Sequence, residues 1–80
     1  MQSARVLIVE DEQIVAADLE RTLRRLGYQV VGLAASGQAA VEQAQQTQPD
    51  LVLMDIKLRG ALDGVAAAAQ IQATAQVPII

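Results

Sequence analysis

The residues with the most chemical potential in this chain are carboxylates at the ends of apolar runs. Val6-Leu7-Ile8-Val9 runs directly into Glu10-Asp11-Glu12, and Leu51-Val52-Leu53-Met54 runs directly into Asp55. Acids brought together at one rim repel each other, which would raise the pKa of at least one. A hard divalent cation removes that cost. Oxygen donors suit Mg²⁺, which takes one or two carboxylates, keeps waters and recruits a phosphate oxygen. Such a rim therefore points to metal-assisted phosphate chemistry, and Asp can itself act as a nucleophile, forming an aspartyl phosphate. The chain contains no His and no Cys. Ser36 has nothing nearby in sequence to activate it, so Asp55 is the natural nucleophile.

Both apolar runs are short and unbroken, as expected of strands buried on both faces of a parallel sheet. A helix is expected between them from about Glu12 to Leu26. Its apolar stripe is Val15, Leu19, Leu23 and Leu26, its exposed side carries a Glu20–Arg24 pair, and Gly27 is its C-cap. Tyr28 to Ala34 is less uniformly apolar and reads as a strand nearer an edge, with Tyr28 partly buried. Ser36 caps a second helix, Gly37 to Thr47, with Ala40, Val41 and Ala44 inward, and Pro49 ends it. Asp63 is placed to cap a third helix, Gly64 to about Ala73, and Val77-Pro78-Ile79-Ile80 begins a fourth strand. Alternating strands and helices give a parallel sheet with helices on both faces. Ligands in such folds sit at the carboxyl ends of the strands, where strand order reverses. The two most apolar strands are the most central ones, which would put Asp11 and Asp55 in one crevice.

Composition narrows the function. At 80 residues the chain is at most one small domain. Tyr28 is its only aromatic, so it offers no platform for stacking nucleic-acid bases, and a net charge of −3 disfavours phosphate-backbone contacts. Lack of Cys and His excludes disulfides, thiolate metal sites, His-dependent catalysis and most zinc sites. No stretch reads as a signal peptide or a membrane span, so a cytoplasmic location is expected.

With Val6 to Glu12, Leu51 to Leu58 and then Leu62-Asp63-Gly64 in this order and spacing, the chain resembles the receiver domain of two-component response regulators. The resemblance covers residues 1–80 and implies a flavodoxin-like, doubly wound parallel sheet of strand order 2-1-3-4. It implies that Asp55 accepts a phosphoryl group from a histidine kinase or histidine phosphotransfer protein. It further implies that Asp11 ligates Mg²⁺ directly, that Glu10 helps through water, and that the backbone carbonyl of Lys57 is another ligand alongside Asp55.

The chain departs from the family in three respects. Glu10 stands where many receivers have Asp. The loop from Lys57 to Gly64 is about one residue longer than the common form and lacks its usual Pro. The switch Ser/Thr, the Lys of the next strand, the last strand and the last two helices would all lie beyond Ile80. A truncated receiver without phosphorylation activity, acting at most as an interaction module, is therefore the main rival. Such a piece could pair with a second copy through its uncovered sheet edge. A nucleotide-binding module is disfavoured because the turn after the first strand is Glu-Asp-Glu, where a Gly-rich turn is needed. An Asp-nucleophile phosphatase is disfavoured by Lys57, where such enzymes carry a second Asp. In the blander reading, Glu12 serves the helix start and the side chains of Lys57 and Arg59 are solvated loop charges.

Overall fold

The computed structural model describes residues 3–54, 64–74 and 77–80. Its elements in chain order are β1 (Arg5–Val9), α1 (Gln13–Arg25), β2 (Gln29–Ala34), α2 (Gly37–Thr47), β3 (Leu51–Met54) and α3 (Gly64–Thr74). The strands form a parallel sheet in the order β2-β1-β3. Beyond β3, Val52 bridges Ile79 in parallel, and Ile80 donates its N–H to the Val52 carbonyl at 2.9 Å. Residues 77–80 thus begin a fourth position beside β3, giving the order 2-1-3-4 expected from the sequence. The fold is flavodoxin-like and incomplete.

Side chains alternate across β1 with the two-residue period of a strand. Leu7 and Val9 join Val52, Met54, Ala40, Ala44, Ala67, Ile71 and Val77 in one core layer under α2 and α3. Val6 and Ile8 join Val30 in a second layer on the opposite face, partly covered by Leu19 and Leu23 of α1. All four of Val6–Val9 are buried, so β1 is the central strand. β3 departs from expectation here. Val52 and Met54 are buried, but Leu51 and Leu53 on the α1 face are only half-buried. α1 packs against β2 and β1 rather than β3, so the α1-side face of β3 stays half-open.

The stripe of α1 also differs from the sequence reading. Its one buried residue is Ala16, while Val15 is 39% and Leu26 68% exposed. Leu19 and Leu23 carry the packing. Leu26 lies at the C-cap, where the chain turns away: Gly27 adopts φ +96° and donates to the Arg24 carbonyl, and Tyr28 N–H reaches back to the Leu23 carbonyl. This pair of bonds is the Schellman ending that Gly27 predicts. Tyr28 itself is exposed, because it precedes the first paired residue of β2. The Glu20–Arg24 pair forms at 2.9 Å. Ser36 caps α2 by accepting from Ala39 N–H at 3.1 Å. The helix ends at Gln48, in a left-handed conformation, one residue before Pro49. Asp63, the expected cap of α3, lies outside the described residues.

Candidate functional site

β1 pairs with β2 on one side and β3 on the other, so the chain leaves β1 in one direction and returns to its far side. Strand order reverses between β1 and β3, and the crevice at their carboxyl ends is where a ligand has room. Register brings these ends level: Val9 lies opposite Met54 in β3 and opposite Ala34 in β2. An open groove of about 390 Å³ occupies this place, lined by Val9, Glu10, Leu19, Leu53, Met54 and Ile80. A second groove of about 350 Å³ lies toward β2, lined by Glu10 with Gln13, Ala16, Ala17, Leu33, Ala34 and Ala35. Glu10 borders both.

The turn from β1 into α1 is fixed by backbone geometry. Glu10 donates its N–H to the Ala34 carbonyl at 2.9 Å, extending the β1–β2 ladder by one residue. Glu12 occupies the N-cap position, φ −90° and ψ 112°, and its carbonyl accepts the Ala16 N–H at 2.9 Å. Its side chain makes no capping bond, so the capping part of the role expected of Glu12 is not met. Glu10 Oε1 instead accepts the Glu12 N–H at 3.1 Å. Asp11, half-buried, stands between these two anchored residues.

Of the four residues the sequence nominates, Glu10 and Asp11 stand together at the rim. Asp55 and Lys57 lie outside the described residues; β3 is described up to Met54, the residue before Asp55. Among the described residues no three acidic side chains gather closely enough to hold a metal ion. Two adjacent carboxylates nevertheless fit Mg²⁺, which draws the rest of its oxygen shell from water and substrate.

Sequence reasoning missed two supports of this rim. At the far end of the sheet, Arg5 N–H donates to Asp50 Oδ2 and Asp50 N–H to the Arg5 carbonyl, both at 2.8 Å, while Arg5 Nη1 donates to the Gln48 carbonyl at 2.9 Å. This clasp ties the starts of β1 and β3 and so sets the register of their ends. In β2 the pairing shifts between Val30 and Gly32, and Gln43 Nε2 donates to the Leu33 carbonyl at 3.0 Å. A Cβ at Gly32 would collide with Gln43 Oε1, so the missing side chain makes room for this bond. An acid two residues before a helix's first carbonyl was a readable signal for the Glu10 bond; Gln43 offered none, since its partner is ten residues away.

The fold is that of a receiver domain. The response regulator receiver domain family matches residues 6–80, and the chain belongs to that family. Among curated relatives it is similar to the transcriptional regulatory protein PdtaR of Mycobacterium tuberculosis, 47% identical over 76 residues, which cover 95% of this chain and 37% of that protein. Among solved structures it is similar to the signal receiver domain of a modulated diguanylate cyclase from Desulfovibrio desulfuricans, at TM-score 0.91 and 48% identity, covering 96% of this chain and 62% of that one. It is also similar to the anti-anti-sigma factor PhyR of Bartonella quintana, solved in complex with the anti-sigma factor NepR, at TM-score 0.89 and 37% identity, covering 98% of this chain and 32% of that one. The chain thus spans about a third of the length of the curated relatives it matches. Among the described residues no helix is long and apolar enough to cross a membrane.

Proposed function

We propose that the chain is a phosphorelay receiver in which Asp55 accepts a phosphoryl group from a histidine kinase or histidine phosphotransfer protein. The observation that carries this reading is the register of Val9 against Met54. Two parallel strands end level, and the sequence continues from one into Glu10-Asp11 and from the other into Asp55. A carboxylate oxygen of Asp55 attacks the phosphorus of the donor's phosphohistidine. The P–N bond breaks as the O–P bond forms, and the electron pair leaves with the imidazole. Asp11, Glu10, Asp55 and the Lys57 carbonyl would hold Mg²⁺, Asp11 as a direct ligand and Glu10 as a helper through water. Bound there, Mg²⁺ neutralises charge on the transferring group. The role is regulatory: the acyl phosphate biases a two-state receiver surface that a partner reads. That PhyR was solved with an anti-sigma factor supports a protein as the reader. A cytoplasmic setting suits a donor of this kind.

The test is labelling by acetyl phosphate with and without Mg²⁺, read by intact mass. A gain of one phosphoryl group that needs Mg²⁺ and is lost in Asp55→Asn supports the reading; equal labelling of Asp55→Asn overturns it.

The second reading, an interaction module without phosphorylation, is favoured by one observation. An apolar groove of about 460 Å³ is lined by Met54, Val65, Ala68, Ile79 and Ile80. Under this reading a second copy pairs along residues 77–80. Sedimentation of the chain as a dimer without labelling by acetyl phosphate would favour it over the phosphorelay.

A further inference from the structure

We propose that Glu10 is a positioning residue whose carboxylate pins the backbone amide of Glu12, so that Asp11 and the start of α1 are held in place before any cation arrives. The purpose of that geometry rests on the metal-dependent reading above; the pin itself does not.

Glu10 is held at both ends. Its backbone N–H is fixed to the Ala34 carbonyl of β2 at 2.9 Å, and its Oε1 accepts the Glu12 N–H at 3.1 Å. Glu12 passes the constraint on, because its carbonyl receives the Ala16 N–H that opens α1. Asp11 is the single residue between the two anchors, so its backbone has little freedom left. The early amides of a helix lack partners within it and are met by a side chain or by water. Glu12 is extended and its side chain makes no cap bond; its own N–H, just ahead of the first helical residue, is the amide that Glu10 meets. An acid that only tuned the charge of a metal site would not need to fold back over Asp11. A group ordered in advance loses less freedom when the ligand binds, which strengthens binding without a new contact.

Position 10 thus does two separable things, through hydrogen-bond acceptance and through charge. Glu10→Gln keeps an acceptor oxygen on the same arm and removes the charge. Glu10→Ala removes both. Glu10→Met keeps the arm and removes both, and serves should Ala disturb the fold.

The experiment is amide hydrogen exchange by NMR on the ¹⁵N-labelled 80-residue chain, followed by Mg²⁺ titration of the same samples. In Glu10→Ala and Glu10→Met the Glu12 amide is expected to exchange roughly fivefold faster, as one lost hydrogen bond of ordinary strength implies. The Ile8 and Val52 amides of the core stay unchanged. Glu10→Gln keeps Glu12 protected to within about twofold. Mg²⁺ affinity falls in all three variants and falls several-fold further in Ala and Met than in Gln. Unchanged Glu12 exchange in both Ala and Met overturns the proposal, as do Gln and Ala variants that match in both readouts. A wild-type chain that ignores Mg²⁺ removes the metal reading, and the Glu12 exchange still decides the pin.

Discussion

Val9 and Met54 lie opposite each other as the last paired residues of adjacent parallel strands, and the sequence places an acid directly after each. Because the two strands end level, Glu10 and Met54 border one crevice. The Arg5–Asp50 clasp protects this relationship from the other end: slippage between β1 and β3 would break both of its 2.8 Å bonds. A one-residue slip of β3 would also turn the buried Val52 and Met54 to the half-open face that Leu51 and Leu53 occupy.

Removing the cation should therefore separate folding from labelling. With EDTA present, acetyl phosphate labelling is expected to fall by more than about tenfold, while far-UV circular dichroism stays the same. Asp11→Asn should label as slowly with Mg²⁺ as the wild type does without it, read by intact mass against time.

Breaking the clasp should cost stability. Asp50→Ala loses the acceptor for Arg5 N–H and should lower the unfolding free energy by about 1 kcal/mol in a urea melt. Asp50→Asn keeps an acceptor oxygen and should cost clearly less.

The two ends of the expected α1 stripe should respond differently. Leu23 packs against the sheet and Leu26 does not. Leu23→Ala should destabilise by roughly 1–3 kcal/mol, less than a fully buried Leu because the side chain is already partly exposed. Leu26→Ala should stay within about 0.5 kcal/mol of the wild type. Equal losses would show that Leu26 packs after all.

Gly32 and Gln43 should be coupled. Gly32→Ala drives a Cβ against the Gln43 amide, which must swing away, and close to Leu7, at a cost of about 1 kcal/mol. Gln43→Ala loses one hydrogen bond, about 1 kcal/mol. The double variant should be less destabilised than the sum, because Gln43 is no longer there to be displaced; additive losses in a double-mutant cycle would break the link.

Sequence by itself determined the order of elements, the two apolar strands and the carboxylates that follow them. Each rests on a local property: an unbroken apolar run, a 3.6-residue stripe, a Ser cap at Ser36, a Gly ending at Gly27. Even the centrality of β1 was legible, because Val6–Val9 carry no polar residue that would need solvent. What the tertiary structure alone decided are relations between distant residues. Which faces are covered depends on where α1 lies across the sheet, so Leu51, Leu53, Val15 and Leu26 are more exposed than their apolar character suggests. Gln43 on the Leu33 carbonyl and Asp50 on Arg5 join residues ten and forty-five apart. The role of Glu10 was divided in the same way. Its charge and its place beside Asp11 stood in the sequence, but only the path of the chain from β1 into α1 put its carboxylate on the Glu12 amide.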